Sequence, residues 1–187
     1  PKKTNKQSLP KQLKVALDSG HFTWRHNNII NYIVQSLDTS KFTIHSDIPG
    51  HEAPGGGGAQ YPQTALKPDI TIWDKSSEKF NLFELTCPLE ENINTRKTEK
   101  SNKCSHFVQD ITVAKTSVTA FEVSSRGYLS PRNHKHLKEL HKFCSPHIKL
   151  STFKQNISTL SIYSSYHIWL CRSDINFAQP PYLQATL

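Results

Sequence analysis

The chain has 187 residues, with 23 Lys and Arg against 15 Asp and Glu, which gives a formal net charge of +8. That length suits one domain with a substantial core. Hydrophobic residues make up 35% and aromatic residues 10% of the chain, which excludes an intrinsically disordered protein. No apolar run approaches the length of a transmembrane helix, and the basic start contains no apolar stretch typical of a secretion signal.

An isoelectric point near 9.3 favours a polyanionic partner such as nucleic acid, because Lys and Arg that neutralise phosphates release counterions. A basic surface that only keeps the protein in solution is the alternative. The four cysteines are far apart and form no CxxC pair, so we expect reduced thiols in an intracellular protein and no zinc framework. The chain neither begins with Met nor contains one, and we therefore expect it to be part of a longer protein.

The first part of the sequence predicts a basic arm, a helix and a strand. Residues 1–20 contain five lysines and one acidic residue, and they form either a mobile arm or a helix over about 10–17. Apolar residues recur at helical spacing in 23–37, with Thr23 as the expected N-cap. The alternation in 41–48 predicts a strand.

Residues 49–64 hold five of the seven glycines, so we expect a long loop there. A phosphate-binding P-loop is the alternative, but the GK[ST] sequence that it requires does not follow.

The middle of the chain predicts a hairpin followed by a helix and a further strand. Residues 67–73 and 79–87 are rich in β-branched and alternating apolar residues, and the polar stretch 74–78 between them is typical of a turn. A polar helix is expected at about 90–115, and a strand at 118–124.

The last part is expected to be helical at 131–143 and 150–171, with an irregular tail from Pro180. We expect Trp24 and Trp169 to be core anchors, and Cys104 and Cys171 to be small core-facing residues. The predicted organisation is a basic arm (1–20), an α/β core (21–128) containing the glycine-rich loop, and a C-terminal helical extension packed on that core (129–187).

Two acidic residues in the hairpin carry the first functional hypothesis. The two-residue period of a strand places Glu84 on one face with Phe80 and Leu82, where a carboxylate is costly unless a charge compensates it. Asp69, at the start of the other strand, can lie opposite Glu84. Two carboxylates that meet repel each other, and a hard divalent cation is the commonest remedy.

Two lysines of the helix predicted at about 90–115 are candidates for the same site as Asp69 and Glu84. Lys97 and Lys100 continue the helical stripe that contains Cys104 and Phe107, so we expect their side chains to face the sheet. There an ammonium group can pair with the carboxylates or stabilise a developing negative charge. The alternatives are that the lysines reach solvent, or that Lys97 forms an ion pair with Glu84 and no metal binds.

A second candidate metal site lies in HKHLKELHKFC (134–144). His134, His141 and Cys144 can share one side of a helix, whereas His136 lies about 200° from His134. Structural zinc needs four convergent ligands, so an exposed basic helix is the favoured interpretation.

Six segments in matching order resemble one family. They are FTWRHNNII (22–30), LKPDITIWD (66–74), FELTCPLEENI (83–93), RKTEKS (96–101), FEVSSRGY (121–128) and YHIWLCR (166–172). The second and third resemble motifs II and III of the PD-(D/E)XK nuclease superfamily. The set as a whole resembles the restriction-like endonuclease domain of site-specific non-LTR retrotransposons, over roughly residues 20–172.

The resemblance implies a restriction-endonuclease-like core, in which a four-stranded mixed sheet is flanked by helices and followed by C-terminal helices. It implies that Asp69 and Glu84 bind Mg²⁺ or Mn²⁺, with the backbone carbonyl of Leu85 as a further ligand. The family's lysine normally stands two residues after the second acid, where this chain has Thr86. In the retroelement branch a lysine of the next helix substitutes, and Lys97 or Lys100 fits that position.

The resemblance also implies residues that contact DNA. Arg25 and His26 match an upstream Arg-His pair, with DNA backbone contact or support of the active site as the two alternatives. Arg96 and Arg126 are further candidates for phosphate contacts, and Arg126 alternatively caps the end of a strand.

The expected function is a metal-dependent DNA endonuclease of a retroelement or a gene derived from one, acting in the nucleus. The expected partner is DNA or an RNA/DNA hybrid, with a reverse transcriptase module in the full-length protein and no membrane. The alternatives are a catalytically inactive nucleic-acid-binding module, which Thr86 would explain, and an interaction scaffold with the same fold.

Overall fold

The computed structural model describes residues 11–48, 68–88, 98, 115–177 and 179–182. The described helices are α1 (Lys11–Asp18), α2 (His21–Ser36), α3 (Pro131–His141) and α4 (Leu150–Leu170). The described strands are β1 (Thr43–Ser46), β2 (Ile70–Asp74), β3 (Lys79–Thr86) and β4 (Lys115–Glu122). In this part of the chain, no helix has the length and apolar character needed to cross a membrane.

The strands form one mixed sheet in the order β1-β2-β3-β4. β1 pairs with β2, and β2 with β3, in antiparallel fashion, whereas β3 and β4 are parallel. The predicted hairpin is confirmed, because Asp74 pairs with Lys79 and 75–78 form the turn between them. The chain therefore has the predicted α/β architecture of a four-stranded mixed sheet flanked by helices.

One face of the sheet carries the main hydrophobic core. Ile70, Ile72, Phe83 and Leu85 pack there with apolar side chains of α2, α3 and α4. The apolar stripe predicted for α2 is confirmed, since its members are all buried, namely Trp24, Ile29, Ile30, Ile33, Val34 and Leu37.

The opposite face of the sheet carries a smaller cluster. Phe80 and Leu82 are buried there, with Trp73 and Val118 packed against them. The rings of Trp73 and Phe80 lie 4.4 Å apart between centroids. Because side chains alternate along β3, this is also the face to which Glu84 belongs.

Helix starts follow local chemistry, with one correction. α3 begins after Ser130, whose hydroxyl accepts a hydrogen bond from the amide of Asn133, and Pro131 stands in the first turn. The prediction of Thr23 as the N-cap of α2 is wrong. The helix begins earlier, after Gly20, which adopts the left-handed conformation with a φ of 76° and provides no side-chain cap.

Two other sequence predictions also need correction. The predicted strand at 118–124 begins earlier, at Lys115, which the sequence had assigned to the end of the preceding helix. Of that predicted helix (90–115), only Thr98 is otherwise described, and it is helical. Trp169 is not a core anchor, because 57% of its surface is exposed. Cys171 is half-buried at the end of α4, and Cys104 lies outside the described residues.

Candidate active site

The candidate site lies at one end of the strands, where β3 and β4 end and β2 begins, and we call this end the sheet edge. Phe83 pairs with Ile70 in the last recorded step of the β2–β3 ladder. Glu84 follows Phe83 and Asp69 precedes Ile70, so the next step of the same register places these two acids opposite each other. Residues directly opposite in an antiparallel pair project from the same face. This register agrees with the expectation that Asp69 lies across the hairpin from Glu84.

Asp69 is held by contacts with two other elements. Its Oδ2 accepts a hydrogen bond from the amide of Leu85 at 2.6 Å. The same oxygen lies 3.2 Å from Nε2 of His26, which projects from α2. Side-chain exposure is 13% for Asp69 and 24% for His26, so both groups remain partly accessible at this edge. The carboxylate is thus oriented by a strand amide and an imidazole.

Glu84 is nearly inaccessible, with 4% of its surface exposed. It pairs with Ala120 of β4 and shares its face of β3 with Phe80 and Leu82. A carboxylate in such apolar surroundings needs compensating interactions, because desolvation penalises its charged form. The sequence prediction of its face is confirmed.

Arg25 connects α2 with the end of β3 and with α4. One guanidinium nitrogen donates to the carbonyl of Cys87 at 2.5 Å, just after β3, and the other donates to the hydroxyl of Ser165 in α4 at 3.0 Å. Only 7% of the residue is exposed, and this burial lowers the pKa of the guanidinium from its ordinary value. Of the two roles implied for Arg25, support of the site is the one that these contacts fit.

A buried acid that the sequence analysis did not assign also lies at this edge. Glu122 ends β4 and pairs with Thr86 in the parallel register, which places both on the face of Glu84. Glu122 is 2% exposed. Its Oε1 and the Oγ1 of Thr86 have no hydrogen-bond partner within the described ranges. The alternation of Val118, Ala120 and Glu122 was the sequence signal for this position.

The donor chemistry of this edge fits a hard divalent cation. Its polar groups are carboxylate, hydroxyl and backbone oxygens, and Mg²⁺ is commonly held by one or two carboxylates with water completing its coordination. Within the described residues, no three His, Cys, Asp or Glu side chains converge as a metal-binding group. A cation at this edge would therefore rely on water and backbone oxygens for most of its ligands.

The other predicted site residues either lie outside the described part of the chain or make contacts of their own. Lys97, Lys100 and Arg96 lie outside the described residues, so their expected positions stay predictions. Arg126 is exposed in the turn after β4, where its amide donates to the hydroxyl of Ser124 at 3.2 Å. Leu85, expected to offer its carbonyl to a metal, lies beside Glu84 with its amide bound to Asp69.

The histidines of α3 have structural partners. His141 Nε2 lies 2.8 Å from the carbonyl of Ile148, and its ring packs 5.6 Å from that of Phe153. Cys144 is buried, which raises the pKa of its thiol to about 12. These contacts disfavour the zinc interpretation of 134–144.

No protein-family model matches the chain, and no curated protein matches it significantly.

Proposed function

We propose that this chain is a Mg²⁺- or Mn²⁺-dependent DNA endonuclease with a PD-(D/E)XK core, similar to the restriction-like endonuclease domain of site-specific non-LTR retrotransposons. The single observation that supports the proposal most is the placement of Asp69 and Glu84. The motif KPDITIW begins β2 and the motif FELTCP ends β3, and the last paired step of their ladder, Ile70 with Phe83, stands directly next to the two acids. The basic charge of the chain suits a phosphate-bearing substrate.

In this proposal Asp69 and Glu84 are the residues that would hold the cation. A divalent ion held by these two carboxylates would supply an activated water and would polarise the scissile phosphate. His26 fixes the orientation of the Asp69 carboxylate through its contact at 3.2 Å. Arg25 keeps α2, the end of β3 and α4 in register, so that His26 and Asp69 meet.

A cation beside the scissile phosphate is the remaining requirement. Thr86 stands where the superfamily motif has lysine, and a hydroxyl carries no positive charge. Lys97 and Lys100 are the candidates, one of which would stabilise the negative charge that builds on the phosphate oxygens. Leu85 is the candidate for a backbone oxygen ligand, and Arg96 and Arg126 for contacts with the DNA backbone.

The proposed biological setting follows from the same resemblance. The domain would cleave or nick a DNA target, or an RNA/DNA hybrid, in the nucleus, as part of a retroelement protein or a gene derived from one. In the full-length protein a reverse transcriptase module would accompany it.

A catalytically inactive nucleic-acid-binding module is the second candidate, and Thr86 in the place of the motif lysine is the observation that favours it. Such a module would retain salt-dependent DNA binding, because phosphate contacts release counterions, but it would not cut.

Nicking of supercoiled plasmid DNA tests the proposal. The purified chain should convert the plasmid to the open-circular form with Mg²⁺ or Mn²⁺ and not with EDTA, and Asp69→Asn and Glu84→Gln should each abolish the conversion. Asp74→Asn is the matched control, because it removes a carboxylate from the other end of the same strand, where Ser76 and Ser77 bind it. Nicking that survives both site substitutions would overturn the proposal, and DNA binding without nicking by the wild type would select the inactive module.

A further inference from the structure

The exposed side of α4 carries an unusual concentration of aromatic side chains. Tyr163, Tyr166 and Trp169 are exposed by 60%, 58% and 57% of their surface. Residues three apart in a helix are nearly one turn apart, so the three side chains project from the same side of α4. The opposite side of α4 is the one that packs in the core, through Phe153 and Ile157 among others. The exposed aromatic rings therefore have no role in the core.

Two of these rings form a near-parallel pair that a guanidinium extends. The rings of Tyr166 and Trp169 lie 6.1 Å apart between centroids, with 17° between their planes. The guanidinium carbon of Arg172 lies over the Trp169 ring, 4.8 Å from its centroid. Arg172 also donates to the carbonyl of Trp169 at 2.6 Å, which holds the group in place. Two π-faces and a planar cation are thus arranged along the helix.

A second arginine lies at the other end of this side of α4. The turn at Gly127 is fixed to the helix, because the hydroxyl of Ser158 donates to the Gly127 carbonyl at 2.7 Å. Gly127 approaches so closely that an added Cβ would lie 2.9 Å from the side chain of Ile162. Its neighbour Arg126 is exposed. We call Tyr163, Tyr166 and Trp169, with Arg126 and Arg172, the aromatic surface.

The charge around α4 indicates which kind of partner the aromatic surface binds. No Asp or Glu occurs between Glu139 and Asp174, whereas Lys and Arg occur four times in that interval. An acid-free helix flanked by arginines complements a polyanion. Exposed aromatic rings add a preference for unstacked bases, because every base offers a π-face to an aromatic side chain.

The aromatic surface is also anchored to the edge that carries the candidate active site. The hydroxyl of Ser161 in α4 donates to the carbonyl of Ser124 at 2.7 Å, directly after β4. Ser125 in turn donates its amide to the carbonyl of Pro88 at 2.9 Å, after β3. The helix that presents the rings therefore packs on the ends of the strands that carry Glu84 and Glu122.

We propose that the aromatic surface binds a single-stranded nucleic acid, with bases stacked on Tyr166 and Trp169 and the backbone neutralised by Arg126 and Arg172. The proposal rests on the proposed action on nucleic acid, and it specifies that the nucleic acid bound beside the candidate site is single-stranded.

The test uses fluorescein-labelled oligothymidylate and its fluorescence anisotropy with the full chain, in EDTA so that no cleavage occurs. Trp169→Leu, which keeps an apolar side chain but removes the π-face, should weaken binding about 5- to 150-fold. Trp169→Phe, which keeps a ring, should bind close to the wild type. Trp169 is exposed, so neither change removes a core contact.

Charge and fluorescence controls make the test specific. Arg172→Gln should weaken binding and reduce its salt dependence, whereas Lys142→Gln, which removes an exposed charge paired with Glu139 on α3, should have less effect. Bound oligothymidylate should quench tryptophan fluorescence in the wild type, and Trp169→Phe should lose that quenching while still binding.

Three results would overturn the proposal. They are wild-type affinity in Trp169→Leu, equal losses in Arg172→Gln and Lys142→Gln, and a dimer in sedimentation that dissociates in Trp169→Leu, which would identify a second copy as the occupant. Binding is measured without metal, so it does not depend on cleavage. If the wild type binds oligothymidylate but does not nick the plasmid, only the endonuclease proposal is rejected.

Discussion

Gly127 offers a direct test of how the turn after β4 is fixed to α4. Its φ is 76°, and a Cβ built on it would lie 2.7 Å from the carbonyl oxygen of Ser158. For alanine the left-handed conformation costs about 1–2 kcal/mol, and forcing a methyl group into a packed position costs about 1–3 kcal/mol. The restricted unfolded chain offsets about 0.4–1 kcal/mol. Gly127→Ala should therefore lower the free energy of unfolding by about 2–4 kcal/mol.

Gly20→Ala is the matched control, because Gly20 has the same φ of 76° but its nearest neighbour to an added Cβ lies 3.6 Å away, at the Gln179 amide nitrogen. Only the conformational penalty applies there, so we expect a loss of about 1 kcal/mol. Urea unfolding of the wild type and both variants measures the difference. For a chain of this size, each kcal/mol should also lower Tm by about 2–4 °C. Equal losses in the two variants would refute the close approach of the turn to α4.

Three further predictions address the buried polar groups. Burial raises the pKa of the Cys144 thiol to about 12, so the folded state holds this proton more tightly than the unfolded state. Its contribution to stability is therefore complete below about pH 9 and is lost as the pH rises toward 12, by at most about 1.4 kcal/mol per pH unit. Cys144→Val should make urea unfolding less sensitive to pH in this range, and parallel curves for the two proteins would contradict the prediction. Arg25→Lys should cost about 2 kcal/mol in urea unfolding, because an ammonium group cannot bridge the Cys87 carbonyl and the Ser165 hydroxyl together, and wild-type stability would count against this bridge. Asn133→Ala should cost about 2–4 kcal/mol, because the Asn133 amide both accepts from the Glu122 N–H and donates to its carbonyl; amide exchange at Glu122 should accelerate, and unchanged protection would argue against the bond.

The elements that the sequence predicted well are those whose apolar residues follow a clear period. The apolar spacing of α2 predicted members of the core correctly, although the helix is buried on more than one side and also buries polar residues such as Arg25 and Asn28. In β3, period 2 places Glu84 with Phe80 and Leu82, although both faces of the strand are buried. The turn after Asp74 fixes the register, which ends at Ile70 and Phe83, next to Asp69 and Glu84.

The features that the sequence could not predict depend on which side of an element meets a neighbour. α4 has apolar residues on two sides, and Trp169 was expected in the core although it lies on the side opposite Phe153 and Ile157, where it is exposed. For Arg25 the resemblance left two roles open, DNA contact and support of the site, and only the fold shows that the Cys87 carbonyl and the Ser165 hydroxyl offer it acceptors in a buried position. Alternation along β4 indicates the face of Glu122, but its position beside Thr86 depends on the parallel pairing of β3 with β4.

The measurement that tests the central claim most directly is an anomalous difference map from a crystal of the chain soaked in Mn²⁺. Our account predicts one strong peak that the Asp69 and Glu84 carboxylates share, and its absence from crystals of Glu84→Gln. Manganese bound elsewhere, with these two side chains turned away from each other, would contradict a metal-dependent nuclease at this sheet edge.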